Sequence, residues 1–273
     1  MAKHRSAWNS KRYHRLIREG RGQGTLKDYL PWITIHDLAS KGVSSRVLGR
    51  KTGRIHHLLS RNETAFFYIL DASDKVLDIR EQFPLLTVDE TVRIAEEAGI
   101  RHTRDNHSFY PYVMTTDFVI TTLEGLKARS VKLSSELSNP RVLEKLEIER
   151  RYWKNRGVDW RIVTEKQIDF QKARNLEWIG RSQDYPSQLP EGVRVEETMS
   201  YFLELYTSTT LPVTDISRIM EETFGLAPGL GLTAYQYLLL HKRIEADLSR
   251  PMDLTSVRAG IGEGWCSWAV TYA

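Results

Sequence analysis

The chain has 273 residues, 41% of them hydrophobic, enough for one large domain or two modest ones, which excludes wholesale disorder. Its single cysteine, Cys266, excludes a disulfide framework and a Cys-based zinc site within the chain, and no run reaches the ~20 apolar residues that span a bilayer, so it reads as soluble and cytoplasmic with no membrane partner. The net charge of +4 is uneven: residues 1–61 hold 14 Lys or Arg against three acids, a net +11, while the rest sums to −7, which points to an anionic partner, nucleic acid foremost.

Residues 1–24 read as a loosely structured basic arm ending in Gly20-Arg21-Gly22-Gln23-Gly24. That run lacks the Gly-Lys-Ser/Thr of a phosphate-binding loop and reads as a hinge. Ser60 is a candidate cap for a helix over 62–71, with Phe66, Phe67 and Leu70 on its buried face. A strand follows over 75–82, stopped by Pro84. Thr87 and Glu90 have capping-box spacing before an amphipathic helix that ends near Gly99.

Residues 115–123 are rich in Thr, Val, Ile and Phe and read as a strand; Glu124-Gly125 is a two-residue turn, and 126–133 is the returning strand. In that register paired numbers sum to 249. Asp117 then lies directly opposite Lys132, with Cβ atoms about 5 Å apart. Phe118, Ile120 and Val131 take the core-facing side, and Asp117 and Lys132 the other. Pro140 opens a helix whose apolar side carries Leu143, Leu146, Tyr152 and Trp153, and Gly157 ends it. Residues 160–164 form another strand, with a helix to about Trp178. Helices around a small central sheet give an α/β unit over 1–168.

The polar stretch 181–195, with Pro186 and Pro190, reads as a linker, or as the end of one that starts earlier; the second unit is drawn as 169–273. Helices are expected over 196–207, 213–224 and 233–248, the last with Tyr237, Leu240, Ile244 and Leu248 on one face. Gly260, Gly262 and Gly264 with Trp265 and Trp268 suggest a hairpin, hence a winged-helix-like module for docking a partner or DNA.

Hydrolysis of a phosphodiester uses a metal to activate water and stabilise charge, and magnesium takes oxygen ligands. Asp117 and Lys132 are both out of place in mid-strand. Alone, such a pair is as a rule a cross-strand ion pair without chemistry. Glu63, a carboxylate near the start of an otherwise apolar helix, raises the interest of the set. So does the order Asp, turn, x-Lys, which is that of restriction-type nucleases, where the aspartate holds metal and the lysine positions or activates water. Arg46, Lys51 and Arg54 are candidate DNA-phosphate contacts, with a solvated loop as the alternative. His56 and His57 adjoin and cannot form an i, i+4 zinc pair, so they are expected at the surface or on DNA. Trp153, Trp160, Trp265 and Trp268 are expected in the core.

The runs EGRGQGTLKDYLPW (19–32), GRIHHLLSRNE (53–63), VLDIREQFPL (76–85), TTDF (115–118) and LEKLEIERRYW (143–153) resemble the TnsA endonuclease family, a cutting subunit of Tn-seven type heteromeric transposases. The resemblance runs through most of 15–165 and weakens beyond. It implies a restriction-endonuclease-like core, a mixed sheet flanked by helices, followed by a mostly helical winged-helix-like domain. It makes Glu63, Asp117 and Lys132 the catalytic set, with Glu63, Asp117 and the backbone carbonyl of Val131 on one or two Mg2+ ions, for which Mn2+ substitutes. Glu149 matches an acidic position near the site. At residue 130 the family's acid or amide is a serine; Ser130 and Glu149 are carried as accessory residues. The implied activity is cleavage of double-stranded DNA at the 5′ ends of the mobile element, with a TnsB-type transposase and a TnsC-type ATPase regulator as partners. Two other readings stay open: a stand-alone restriction or repair nuclease, and an assembly adaptor whose site has weakened, with Ser130 as its sign.

Overall fold

A helix stands where the basic arm was expected to be loose. In the computed structural model, which describes residues 8–37 and 43–258, Asn9 caps α1 (Ser10–Arg18) by accepting from the backbone N–H of Arg12 at 3.0 Å. Leu16 is buried on its inner side, and Trp8 and Trp32 join the same cluster. The expected disorder fails because short basic segments look solvated in sequence, yet one apolar stripe is enough to dock a helix.

A two-stranded hairpin follows, β1 (Ser45–Leu48) against β2 (Ile55–Leu58). Ser60 then caps α2 (Arg61–Ala72), as its spacing predicts, by accepting from Glu63 N at 3.2 Å. The main sheet has the order β3-β4-β5-β6, with β3 (Val76–Pro84), β4 (Thr115–Thr122) and β5 (Gly125–Val131) antiparallel and β6 (Asp159–Val163) parallel to β5. Pro84 is the last paired residue of β3 rather than its stop; β3 is an edge strand, so a missing N–H is tolerated there. Between them lies α3 (Val88–Glu97), whose Thr87 makes no side-chain cap bond. The expected capping box is absent because Glu90 turns outward to the Arg156 guanidinium, at 2.7 and 2.6 Å.

The hairpin register differs from expectation by two residues. Thr122 pairs with Gly125 and Phe118 with Arg129, so paired numbers sum to 247 and Leu123-Glu124 form the loop. Thr122 closes it, its Oγ1 donating to Gly125 O at 2.8 Å and accepting from Glu124 N at 3.2 Å. Continuing the ladder one step places Ser130, not Lys132, opposite Asp117. A slip of two keeps every side chain on its face, so Asp117 and Lys132 still share one.

Both faces of the sheet are covered, which corrects the single core-facing side drawn from the sequence. Phe118 meets Phe66 of α2 edge-on, ring centroids 5.7 Å apart. On the Asp117 face, Val119 and Ala128 pack with Ile148, Tyr152 and Trp153 of α4 (Pro140–Lys154) and with Ile94 and Ala95 of α3. Gly157, at φ +66°, ends the α4 segment in the left-handed conformation that favours glycine.

The chain divides between Ile168 and Asp169. The second unit is helical in its described part: α5 (Phe170–Gly180), α6 (Tyr185–Gln188), α7 (Val195–Ser208), α8 (Val213–Phe224) and α9 (Leu230–Leu240). The stretch 181–195 is no linker. Tyr185 is fully buried in the helical core, its hydroxyl donating to Thr198 Oγ1 at 3.0 Å. The last helix stops at Leu240 instead of 248, the chain leaving through Lys242 at φ +55° while Ile244 still folds back into the core. The Gly-rich hairpin expected at 260–268 lies outside the described residues. No helix among the described residues is long and apolar enough to cross a membrane.

Candidate active site

Three elements bring the candidate residues together. Glu63 sits in the first turn of α2, where the Ser60 cap fixes it from both sides: Ser60 Oγ donates to Glu63 Oε1 at 2.9 Å, and Leu59 N donates to Oε2 at 3.0 Å. Asp117 lies near the start of β4, its Oδ2 accepting from Val131 N at 2.7 Å and from Lys132 Nζ at 2.8 Å. Lys132 Nζ also donates to Val131 O at 3.0 Å, so that carbonyl is turned into the same space.

Glu149, on α4, completes a buried polar layer. Its Oε1 accepts from Thr116 Oγ1 at 2.5 Å and Ser130 Oγ at 2.6 Å. Trp160 Nε1 donates to Ser130 Oγ at 2.9 Å, and Trp153 Nε1 to Thr116 Oγ1 at 2.7 Å. Ser130, 1% exposed, is thus a relay between Glu149 and Trp160. Its hydroxyl is spent on those two partners, a role the sequence reading of a missing ligand did not foresee.

Electrostatics mark the same spot. Burial first, then repulsion from Asp117, pushes the carboxyls of Glu63 and Glu149 up to about 7. For Lys132, burial works to lower its pKa, but Asp117, Glu149 and Glu63 outweigh it and hold the ammonium charged above the usual lysine range. Carboxylates crowded in this way, with Lys132 as the cation that reaches them, form an environment short of positive charge.

The donor set therefore fits a hard divalent cation: two carboxylates and a carbonyl, all oxygen. Among the described residues no three His, Cys, Asp or Glu side chains form a metal cage by themselves. Magnesium does not need one, since it keeps several waters and takes one or two carboxylates. A test follows from the raised carboxyl of Glu63. Between about pH 4.5 and 7 the folded chain holds a proton that the unfolded chain releases, so this group's contribution to stability falls as pH rises through that window. A cation bound to the ionised pair offsets the loss. The stabilisation given by saturating Mg2+, about 2.7 kcal/mol at one hundred times Kd, is expected in full at pH 8 and to shrink at pH 6. Melting curves at the two pH values check this; equal gains would count against Glu63 as a ligand.

Gln82 was not singled out in the sequence. Its Nε2 donates to Glu63 Oε2 at 3.2 Å, its Oε1 accepts from Thr115 Oγ1 at 3.2 Å, and its backbone stands at φ +47°. An amide mid-strand, two residues before the strand-ending Pro84, was the available signal. Residues held in a disfavoured backbone conformation gather at functional sites.

The basic candidates separate. Arg54 is built into the fold: both terminal nitrogens grip buried Glu81, at 2.8 and 2.6 Å, Nη2 also donates to Ile79 O at 2.9 Å, and Nε donates to Leu26 O at 3.1 Å. A guanidinium so engaged has no face left for phosphate, which corrects its assignment to DNA. His56 is buried too, against the expectation of a surface residue: Nδ1 donates to Glu81 Oε2 at 2.7 Å, and Nε2 meets Thr52 Oγ1 at 2.7 Å. Burial works to raise the Glu81 pKa, but these bonds bring it down to about 2. Arg54→Ala strands Glu81, fully buried, and is expected to cost about 3–5 kcal/mol in urea denaturation; a loss below 1 kcal/mol would contradict the network. Lys51 stands in the β1–β2 turn, its backbone N–H donating to Asp71 Oδ1 at 3.2 Å.

Two family descriptions match the chain, "TnsA-like endonuclease N terminal" over residues 73–165 and "TnsA endonuclease C terminal" over 167–248. The "Transposon Tn7 transposition protein TnsA" of Escherichia coli is 45% identical over 182 residues, which is 66% of this chain and 66% of that protein. The two matched regions meet at the boundary between the α/β and helical units, and on these matches the chain belongs to the TnsA endonuclease family.

Proposed function

We propose that the α/β unit is a magnesium-dependent endonuclease that cuts the non-transferred strand at the 5′ ends of a mobile element. The observation that carries this reading is the convergence of Glu63, Asp117, the Val131 carbonyl and Lys132 from α2, β4 and the end of β5, with Asp117 bonded to Lys132 and close enough to Glu63 to push its carboxyl up. Glu63 and Asp117, with the carbonyl, are the residues that would hold the ion, and Mn2+ is expected to substitute. Bound there, the ion would neutralise charge at the scissile phosphate and lower the pKa of an attacking water. Lys132, bonded to Asp117 and to the Val131 carbonyl, is the group that positions or activates the attacking water. Glu149 holds Ser130 and Thr116 beneath Asp117 and acts through them as a positioning residue.

The helical unit serves as the dock for a partner protein, an ATPase regulator of the TnsC type, while a TnsB-type transposase joins the 3′ ends. Residues 169–273 hold 14 acids against nine Lys or Arg, which disfavours a phosphate surface. Its α9 is also unsuited to reading a DNA groove, because Leu230, Ala234, Tyr235, Leu238 and Leu239 bury it in the core. Reconstitution with both partners on end-labelled transposon DNA tests the whole reading. The full chain is expected to nick the 5′ ends only with Mg2+ or Mn2+, and a chain ending at Ile168 to lose the regulator. Site-specific cutting without partners would favour a stand-alone nuclease instead.

A further inference from the structure

Helix α1 and the loop 101–112 lie about ninety residues apart in sequence yet form one platform. Trp8 Nε1 donates to Pro111 O at 2.9 Å, and Ser108 Oγ donates to Trp8 O at 2.6 Å. Trp8 stacks on Tyr112 at 5.6 Å, and Tyr13 lies against Tyr110 at 5.9 Å. Asp105 braces the loop from within, accepting from the backbone of His107 and Ser108 and from the Tyr112 hydroxyl. An isolated bridge between Arg104 and Pro111 closes its base.

The outward side of this platform is basic, with one apolar projection. Lys11, His14, Arg15 and Arg18 are exposed at spacings of three and four, a single stripe of α1 opposite buried Leu16. Exposed Arg101 and Arg104 extend the charge from the loop, where they line a cleft of about 390 Å³ beside Phe109. Against them stand Glu96, which lines the same cleft, Glu19, paired with Arg15 at 3.5 Å, and Asp89, close to Tyr13 and Tyr110; the cations outnumber these acids. Phe109 is 69% exposed and held at φ +54°, with Arg104 Nη1 donating to its carbonyl at 3.3 Å. A braced loop that spends a disfavoured backbone conformation on keeping a large ring in water is arranged for contact.

The platform also stands near the chemistry. From Tyr112 to Asp117 the chain covers five residues, at most ~18 Å. One turn of duplex spans roughly 34 Å, so DNA with a phosphate at Asp117 passes within reach.

We propose that α1 and the 101–112 loop form a duplex-DNA track beside the active site, with Lys11, Arg15 and Arg18 on backbone phosphates and Phe109 set into a groove. The proposal rests on the nuclease reading and adds the surface that holds the substrate in register.

The test is fluorescence anisotropy of a labelled 30-bp duplex with the full chain in EDTA, from about 20 to 150 mM salt. Each phosphate contact contributes roughly 0.9 to the slope of log K against log salt. Lys11→Ala/Arg15→Ala/Arg18→Ala is therefore expected to lower that slope by about 2–3 and weaken binding some 10–100-fold at low salt. Phe109→Ala is expected to weaken it several-fold with the slope unchanged, since it removes no charge. Should the triple variant melt early, Lys11→Gln/Arg18→Gln, which keeps two exposed polar side chains of similar length, must still lower the slope by roughly 2. Variants that bind like wild type, or a wild-type chain that does not bind at the lowest salt, overturn the track; an acidic protein partner is then the occupant to seek. Cutting by Asp117→Ala is scored separately: if it is lost while the track variants bind normally, the track falls and the nuclease reading stands.

Discussion

Asp117→Ala is expected to abolish cutting, at a cost of roughly 10²–10⁴-fold or more, while the chain still folds and assembles with its partners. Asp117 Oδ2 takes both the Val131 N–H and the Lys132 ammonium, so one substitution removes a proposed metal ligand and frees the lysine that it aims. Lys132→Ala should come close to the same loss, because the donor is gone although the carboxylates remain. Asp117 is 8% exposed on a sheet face that also carries core residues, so some destabilisation accompanies the change. Asp117→Asn keeps the shape and separates the two effects: it should melt near the wild type and still fail to cut. Measurable 5′-end cleavage by either Asp117 variant would show that the site has been placed wrongly.

Ser130→Glu has the second large expected effect, and it falls on folding. From the sequence alone the change restores a carboxylate, which either lowers the magnesium requirement or, if the serine is an adapted feature, repels Asp117 and slows the enzyme. The structure argues otherwise. Ser130 is 1% exposed, donates to Glu149 at 2.6 Å and accepts from Trp160 at 2.9 Å. A glutamate there loses the donor that Glu149 needs and sets two carboxylates together in a buried layer beside Asp117. The cost is expected to be about 3–5 kcal/mol, the penalty for an uncompensated buried charge, with no fall in the magnesium requirement. Urea denaturation measures the first and a magnesium titration of cleavage the second. A stable variant that works at lower magnesium would mean that Ser130 stands where a ligand is missing. Ser130→Ala removes only the hydroxyl and should cost far less.

Much of this site was legible because strand periodicity is forgiving. A loop at Glu124-Gly125 puts the hairpin two residues out of register, yet Asp117 and Lys132 stay on one face because the period of a strand is two. The Ser60 cap and Glu63 were equally readable, since a cap and its helix are local in sequence. What sequence could not give depends on distant partners. Arg54 and His56 look like loop cations until Glu81, 25 residues further on, is found buried between them. The Ser130–Glu149–Thr116 layer joins two strands and a helix, and Trp153 and Trp160, expected simply as core, donate into it. Helix α1 reads as a loose arm in sequence because a main partner, Tyr110, lies far along the chain.

On the proposed reading, Glu63, Asp117 and the Val131 carbonyl together hold a divalent ion beside Lys132. Crystals of the full chain grown with Mn2+ and measured at the manganese absorption edge test it most directly. An anomalous peak is expected with oxygen ligands from Glu63, Asp117 and Val131, lost in crystals of Asp117→Ala. Manganese bound elsewhere, with these three left without an ion, would contradict it.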